Sequence, residues 1–441
     1  MKEEKNDSLS RRDFVGKAAA AAAGFMIVPR FVLGGKKPDG SSYLPPSDMI
    51  SLGFIGTGKQ GRGLTTSFLS TGEARIVAIS EVYKDKAQLT IDKIKEYHTK
   101  NPQAGIYSEI PVYNDFRELL ARKDVDAVVI ATPDHWHAAM AVRAAQAGKD
   151  IYCEKPLSLT VREGRAMVDA ARKYNRVFQT GSMQRSWPEF RQTAELIRNG
   201  YIGDIKSIKV NVGTPPVPYT LSAEPIPQGL DWAAWLGPNQ PVPFNSELAP
   251  PLSKDVFPNW RLYKEFGGGM VTDWGAHMFD IVQWALDKDN SGPVEILPPN
   301  GKDVQNLTFR YDNGITMTHE KWDWNNAIHF IGSEGDLKVQ RRKLETTPAS
   351  LKDKVIGENE KHVYKSENHY KDFFQAMRNR SKPVCDVEVG HRTASVCNIA
   401  NIAYQLQRPL QWNPKKETFK NDKEANALLG RPMNSEWGIV I

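Results

Sequence analysis

Three glycines, one acid, one lysine and an aspartate–histidine pair are the residues of this 441-residue chain whose types and spacing could do chemistry. The apolar run Leu52-Gly53-Phe54-Ile55 breaks straight into Gly56-Thr57-Gly58-Lys59-Gln60-Gly61, a Gly-x-Gly-x-x-Gly loop. In such a loop Gly56 permits the tight turn, Gly58 lets the backbone approach a pyrophosphate, and Gly61 lets the next helix pack close to the strand. The start of that helix adds free N–H groups and the positive end of its dipole. Glu81 stands 20 residues past Gly61, after a second apolar run, Arg75–Ser80. An acid is wanted there for ribose hydroxyls. Lys155 offers an amine in Glu154-Lys155-Pro156, where the proline fixes the chain that carries it. Asp273 and His277 are four apart in a stretch of helical periodicity, so one helix face is expected to carry both. A dinucleotide, a lysine and a histidine suit removal of hydride from a secondary alcohol. A base takes the hydroxyl proton as hydride leaves, and a cation stabilises the developing oxyanion. His277 reads as the base, oriented by Asp273; Lys155 is the competing assignment.

The elements that must position these groups follow from the pattern of apolar runs. From residue 50 the order is strand, helix, strand, helix. Val125–Ala131 is a continuous apolar run that ends at Thr132-Pro133, as a central parallel strand should. Ala138–Ala147 reads as a helix capped by Gly148, and Asp150–Cys153 as another strand. This alternation predicts a doubly wound parallel sheet of the Rossmann kind, with ligands beyond the carboxyl ends of its strands. Glu81, Thr132, Pro133, Glu154 and Lys155 all fall at such ends. Gln179–Gln184 reads as a strand leaving this sheet, with Arg185 at its end. A second domain follows, α+β with a largely antiparallel open sheet. Ile205–Val212 alternates as a strand, and Asn306–Tyr311 with Ile315–His319 reads as a hairpin around Asp312-Asn313-Gly314. Residues 213–260 are proline-rich and aperiodic, which suggests a binding rim. The predicted organisation is a leader over 1–33, a linker over 34–48, a dinucleotide-binding domain over 49–180 and a substrate-binding and oligomerisation domain over 181–441.

The glycine loop, Ala131-Thr132-Pro133-Asp134-His135-Trp136-His137 and Glu154-Lys155-Pro156 together resemble the glucose–fructose oxidoreductase, inositol dehydrogenase and rhizopine-catabolism (Gfo/Idh/MocA) family, over roughly residues 50–410. The resemblance implies that Lys155 lies beside the nicotinamide and the reacting carbinol, and that the Asp273-x-x-x-His277 helix supplies acid–base residues facing it. It implies NAD, with NADP as the alternative, contacted by Gly56, Thr57, Gly58, Gln60, Gly61, Glu81, Thr132, Pro133, His137, Glu154 and Lys155; the glycine loop together with the export-type leader over 1–33 implies that the dinucleotide is tightly held. Trp136, Gln184, Arg185, Trp260 and Arg261 are the expected contacts for a sugar, polyol or glycoside. For Trp136 a core role is an equal reading. Two other classes stay open: a glycosidase that oxidises its sugar transiently with a captive NAD, and a non-catalytic sugar-binding regulator.

Hydrophobic content of 40% and charged content of 25% suit a soluble globular protein. Of the net charge of +6, half lies in residues 1–40, so the body carries no basic stripe that would suggest nucleic acid. Ser10-Arg11-Arg12-Asp13-Phe14, Lys17 and the apolar Ala18–Val28 have the build of a twin-arginine export signal. The expected destination is the periplasm, by way of the twin-arginine machinery, with the protein tethered to the membrane where the leader is retained. A homo-oligomer, dimer or tetramer, is expected through the free face of the second sheet. Cys153, Cys385 and Cys397 lack zinc spacing and read as buried thiols, with a 385–397 disulfide as the alternative. No metal is expected: His135 and His137 have no third ligand nearby.

Overall fold

The computed structural model describes residues 35–36, 42–45, 48–101, 108–254 and 256–439. The twin-arginine stretch lies outside the described residues. Residues up to Met49 form one unit, in which Gly35–Lys36 pairs with Ser42–Tyr43, and Ile50–Ile441 form the other.

The second unit is built on two sheets. The first holds β1 (Ile50–Ile55), β2 (Ala74–Ser80), β3 (Val112–Tyr113), β4 (Ala127–Ile130), β5 (Asp150–Cys153) and β6 (Phe178–Thr180), all parallel, in the order β3-β2-β1-β4-β5-β6. This is the doubly wound order 3-2-1-4-5-6, with its switch point between β1 and β4. Every residue of β1, β4, β5 and β6 is buried, which is why their sequences read as unbroken apolar runs rather than alternating ones. Helices cover both faces. Lys59–Leu69 packs Phe68 against Phe54 and Tyr152, and Asp134–Gln146 with Val161–Lys173 covers the other side. Beyond β6 the expected extended run to Gln184 gives way to a 3-10 turn, Met183–Ser186, because Arg185 is drawn into the interior.

The second sheet has nine strands: β7 (Ile205–Asn211), β8 (Glu295–Leu297), β9 (Leu307–Arg310), β10 (Thr316–His319), β11 (Ala327–Gly332), β12 (Asp336–Gln340), β13 (Lys343–Thr347), β14 (Leu410–Asn413) and β15 (Thr418–Phe419). Their order is β13-β12-β11-β7-β10-β9-β8-β14-β15. Only the β7–β10 pair is parallel among them, so the sheet is mixed and mostly antiparallel. Its inner face packs on the helices Pro188–Arg198, Gly275–Ala285 and Val387–Leu406 through Phe279, Phe309, Phe330 and their neighbours. The irregular stretch after β7 is anchored by its own aromatic cluster, in which Trp232 stacks on Trp235 at 4.7 Å and Phe244 and Phe266 close the sides. The three cysteines are buried free thiols.

Candidate active site

A single cavity of about 790 Å³ runs from the carboxyl ends of β1, β2 and β4 to the second sheet. At its floor the glycine loop has the conformation its sequence demands. Gly56 has φ +84°, and a Cβ on it would press on the Ala131 backbone at 2.9 Å. A Cβ on Gly61 would lie 2.3 Å from the Gly56 carbonyl oxygen, so the helix sits against the turn as closely as glycine allows. Gly58 lines the cavity, and a Cβ there would meet nothing within 4 Å. The start of helix Lys59–Leu69 therefore opens onto free space. At the end of β2 the Glu81 carboxylate is already oriented. Oε2 accepts from the Thr57 N–H at 2.7 Å and from its hydroxyl at 3.1 Å, and Oε1 from the Tyr83 N–H at 3.0 Å. This cradle fits a dinucleotide: an open glycine at a helix start for the phosphates and a fixed carboxylate for the ribose.

The reactive end lies where β5 runs out. Glu154 is buried and accepts from Gln60 Nε2 at 3.0 Å. A Cβ on Gly181 would fall 2.9 Å from that carboxylate, which explains the glycine there. Burial raises the Glu154 pKa above the usual carboxylate range. The next residue, Lys155, reaches across the cavity, and Nζ donates to Asp273 Oδ1 at 2.7 Å and to the Asp273 carbonyl at 3.0 Å. Arg261 lies 3.3 Å from the other oxygen, Oδ2. Burial works to raise the Asp273 pKa, but Lys155 and Arg261 outweigh it and hold the carboxyl below its ordinary range. His277 lines the same cavity at 4% exposure. Burial, then the charges of Lys155 and Arg341, push its pKa well below the usual histidine value, so the ring is neutral at neutral pH.

Four expectations about this site need correction. Asp273 does not orient His277. The helical stretch breaks at Trp274, between Gly269–Asp273 and Gly275–Ala285, and Asp273 turns to Lys155 instead. His277 Nε2 is held at 3.0 Å by Arg341 Nη2. An arginine only donates, so Nε2 accepts and the neutral ring carries its proton on Nδ1. Arg185, expected at the substrate, is 1% exposed; its side chain forks onto Asp280 at 2.8 Å and Asp289 at 2.7 Å. Gln184 is equally buried and touches the site only through Arg341, whose Nε it accepts at 2.9 Å. His137 is not in the cavity wall. Its ring lies behind the wall between the carbonyls of Pro156 (2.9 Å from Nδ1) and Thr132 (3.0 Å from Nε2), and the neutral imidazole donates to one of them.

Gly56, Gly58, Gln60, Glu81, Thr132, Pro133, Trp136, Glu154, Lys155, Trp260, Arg261, Asp273 and His277 all line the cavity. Thr57 and Gly61 shape the loop from beneath. Trp136 serves both readings, since it is a wall residue whose indole N–H is tied to the Trp235 carbonyl at 2.9 Å. The sequence reading missed two groups. Arg341, between β12 and β13, sits in Arg341-Arg342-Lys343, a run of cations that no motif marks. Asn434, Glu436 and Trp437 also line the cavity. Trp437 packs between the guanidiniums of Arg117 (4.6 Å) and Arg143 (5.5 Å), with its edge to Trp136. Arg431 anchors this segment to Glu163, to Asn239 and to the His135 carbonyl.

Comparison with known proteins agrees with this geometry. Residues 50–182 match the profile described as "Oxidoreductase family, NAD-binding Rossmann fold", and residues 217–439 match "Oxidoreductase family, C-terminal alpha/beta domain", both of the Gfo/Idh/MocA family. The chain is 23% identical over 341 residues to the uncharacterized oxidoreductase YrbE of Bacillus subtilis, covering 74% of this chain and 83% of that protein. It is 28% identical over 213 residues to an alpha-N-acetylgalactosaminidase of Shewanella oneidensis, but that match spans only 45% of this chain and 44% of the relative. Solved structures with the same fold include levoglucosan dehydrogenase in complex with NADH and levoglucosan (TM-score 0.55, 22% identity, 82% of this chain and 99% of that one). Another is the WlbA dehydrogenase from Bordetella pertussis in complex with NADH and UDP-GlcNAcA (TM-score 0.57, 15% identity, 83% and 99%). With an NAD-binding Rossmann sheet, the matching second domain and the glycine loop at their shared cavity, the chain belongs to the Gfo/Idh/MocA family of oxidoreductases.

Proposed function

We propose that this oxidoreductase moves a hydride between a tightly held nicotinamide cofactor and a secondary hydroxyl of a sugar, polyol or glycoside. The observation that carries this is the Lys155–Asp273 pair, 2.7 Å apart, at the far end of the cavity that begins at the glycine loop. The bound cofactor supplies the hydride acceptor. The chain supplies the rest. Lys155 gives two of its N–H positions to Asp273, which leaves the third for a substrate hydroxyl. Lys155 is the proton acceptor of this reading, and the Asp273 carboxylate beside it stabilises the ammonium that carries the proton. His277, neutral and with Nε2 engaged, contributes a donor through Nδ1 rather than the proton acceptor first expected of it. Glu81 favours NAD, because a 2′-phosphate would meet a carboxylate; tighter binding of NADP would overturn that preference.

The glycosidase reading has one specific support, the partial likeness to the alpha-N-acetylgalactosaminidase. One experiment separates the readings. The purified protein is denatured to identify any released dinucleotide. The native protein is then screened against sugars and glycosides. Net NADH formation indicates a dehydrogenase, bond cleavage without NADH indicates the glycosidase, and binding without either indicates a regulator.

The twin-arginine build of residues 8–33 supports export of a folded, cofactor-loaded protein to the periplasm. Retention of an Arg11→Lys, Arg12→Lys variant in the cytoplasm is the expected result, and unchanged export refutes it. Strands β7 and β11, buried on one side and partly exposed on the other, support association of copies through the second sheet. Light scattering that reports a monomer refutes this.

A further inference from the structure

The three cations at the Lys155 end of the cavity are not matched alike. Lys155 and Arg261 share the Asp273 carboxylate. Arg341 makes no ion pair with any carboxylate among the described residues. Burial weighs against its charge, and Asp273 and Glu154 relieve that only from a distance. The guanidinium is nevertheless fixed. Nε donates to Gln184, a buried side chain, and Nη2 to His277. The group lies 4.5 Å from the Trp274 ring centre and 5.5 Å from that of Trp187. Nη1 has no partner among the described residues and is left to the cavity that Arg341 lines. On the same imidazole that Nη2 holds, His277 Nδ1 is a second donor, buried and without a partner among the described residues. A fixed positive charge with an unused donor, next to an orphaned N–H, is a site made to receive an anionic oxygen.

On the oxidoreductase reading above, we propose that Arg341 is a carboxylate subsite and that the substrate is a sugar acid or polyol acid. Its carboxylate pairs with Arg341 Nη1 while a secondary hydroxyl lies against Lys155. A carboxylate is favoured over a phosphate because one guanidinium matches one negative charge, and the other two cations are already engaged by Asp273.

The test uses the full-length, NAD-loaded protein and matched pairs that differ in one group: glucuronate against glucose, galacturonate against galactose, and mannuronate against mannose. Glucose 6-phosphate is the phosphate control. Binding is followed by calorimetry and hydride transfer by nicotinamide absorbance. At least one acid is expected to bind about tenfold or more tighter than its neutral partner, as a charge-assisted pair should. Arg341→Gln should erase that preference while keeping the wild-type dinucleotide content and melting temperature, and Arg341→Lys should keep part of it. The proposal is overturned if no acid binds, if neutral partners bind as well, if glucose 6-phosphate binds tighter than every acid, or if the preference survives Arg341→Gln. Oxidation of a neutral sugar with indifference to the acids sinks this subsite and leaves the dehydrogenase reading standing. Absence of hydride transfer from any alcohol sinks that reading itself.

Discussion

Two alanine substitutions in the glycine loop separate the placement of the cofactor from the integrity of the fold. A Cβ on Gly61 would lie 2.3 Å from the Gly56 carbonyl oxygen, a backbone atom that can yield only by shifting the end of β1. Overpacking of this kind costs about 1–3 kcal/mol. A Cβ on Gly58 meets nothing within 4 Å, and Gly58 has φ −58°, open to any residue. Its only local cost is the poorer helix cap that alanine makes, about 1 kcal/mol or less. Gly61→Ala should therefore melt lower than Gly58→Ala. Cofactor content should show the reverse emphasis. The Gly58 methyl enters the space through which the backbone must approach a pyrophosphate. A clash worth about 1–3 kcal/mol there weakens binding about 5- to 150-fold. The assay is dinucleotide released on denaturation per mole of protein. It is paired with thermal melts of cofactor-stripped protein, because bound ligand raises stability by mass action. Gly58→Ala protein that retains as much dinucleotide as wild type refutes the placement. Gly61→Ala protein that melts with wild type refutes the packing.

Lys155→Ala should abolish turnover and keep the dinucleotide, whereas His277→Ala, losing one donor, should cost about 10²–10³-fold in kcat; steady-state rates that rank them the other way make His277 the proton acceptor. Asp280→Asn leaves Arg185, at 1% exposure, with half of its countercharge gone, and should destabilise by about 3–5 kcal/mol in denaturant unfolding. Burial alone would lift Glu388, but Arg165 and Arg392 bring it down to about 2 from an ordinary 4.5. A carboxyl lowered on folding adds stability that is full above its unfolded value and lost as pH falls through the folded one. Glu388→Gln should therefore lose about 1–3 kcal/mol near neutral pH, after allowance for solvent screening, and lose less than wild type between pH 4.5 and about 2. Parallel acid-unfolding curves for the two proteins contradict the assignment.

The first sheet was legible because a parallel strand buried on both faces needs no tertiary information to be recognised: Val125–Ala131 is apolar throughout and can be little else. The glycine loop was legible because its constraints are local, a positive φ at Gly56 and a close approach at Gly61. The joining of Lys155 to Asp273, 118 residues later, came from the family likeness, since nothing in either segment names the other. Spacing was right that Asp273 and His277 face one cavity, but it could not show that each is claimed by a distant partner, Asp273 by Lys155 and His277 by Arg341. Arg185 stood at a strand end as a ligand residue should, but its two acids lie about a hundred residues away and claim it for the core. Arg341 gave no signal at all. Three consecutive cations at a hairpin tip look solvated until the hairpin is seen to fold back over the cavity.

The segment that carries Arg431 and Trp437 follows both sheets in chain order, yet it forms a wall of the cavity on which the first domain's glycine loop opens. A nascent chain that has completed both sheets but not this segment has the floor of the site without one of its sides. The expectation is that this last wall, and not the Rossmann sheet alone, sets how tightly a dinucleotide is held. A pulse-labelled, ribosome-stalled chain halted before residue 431 would already have its Rossmann sheet and would still exchange its dinucleotide freely.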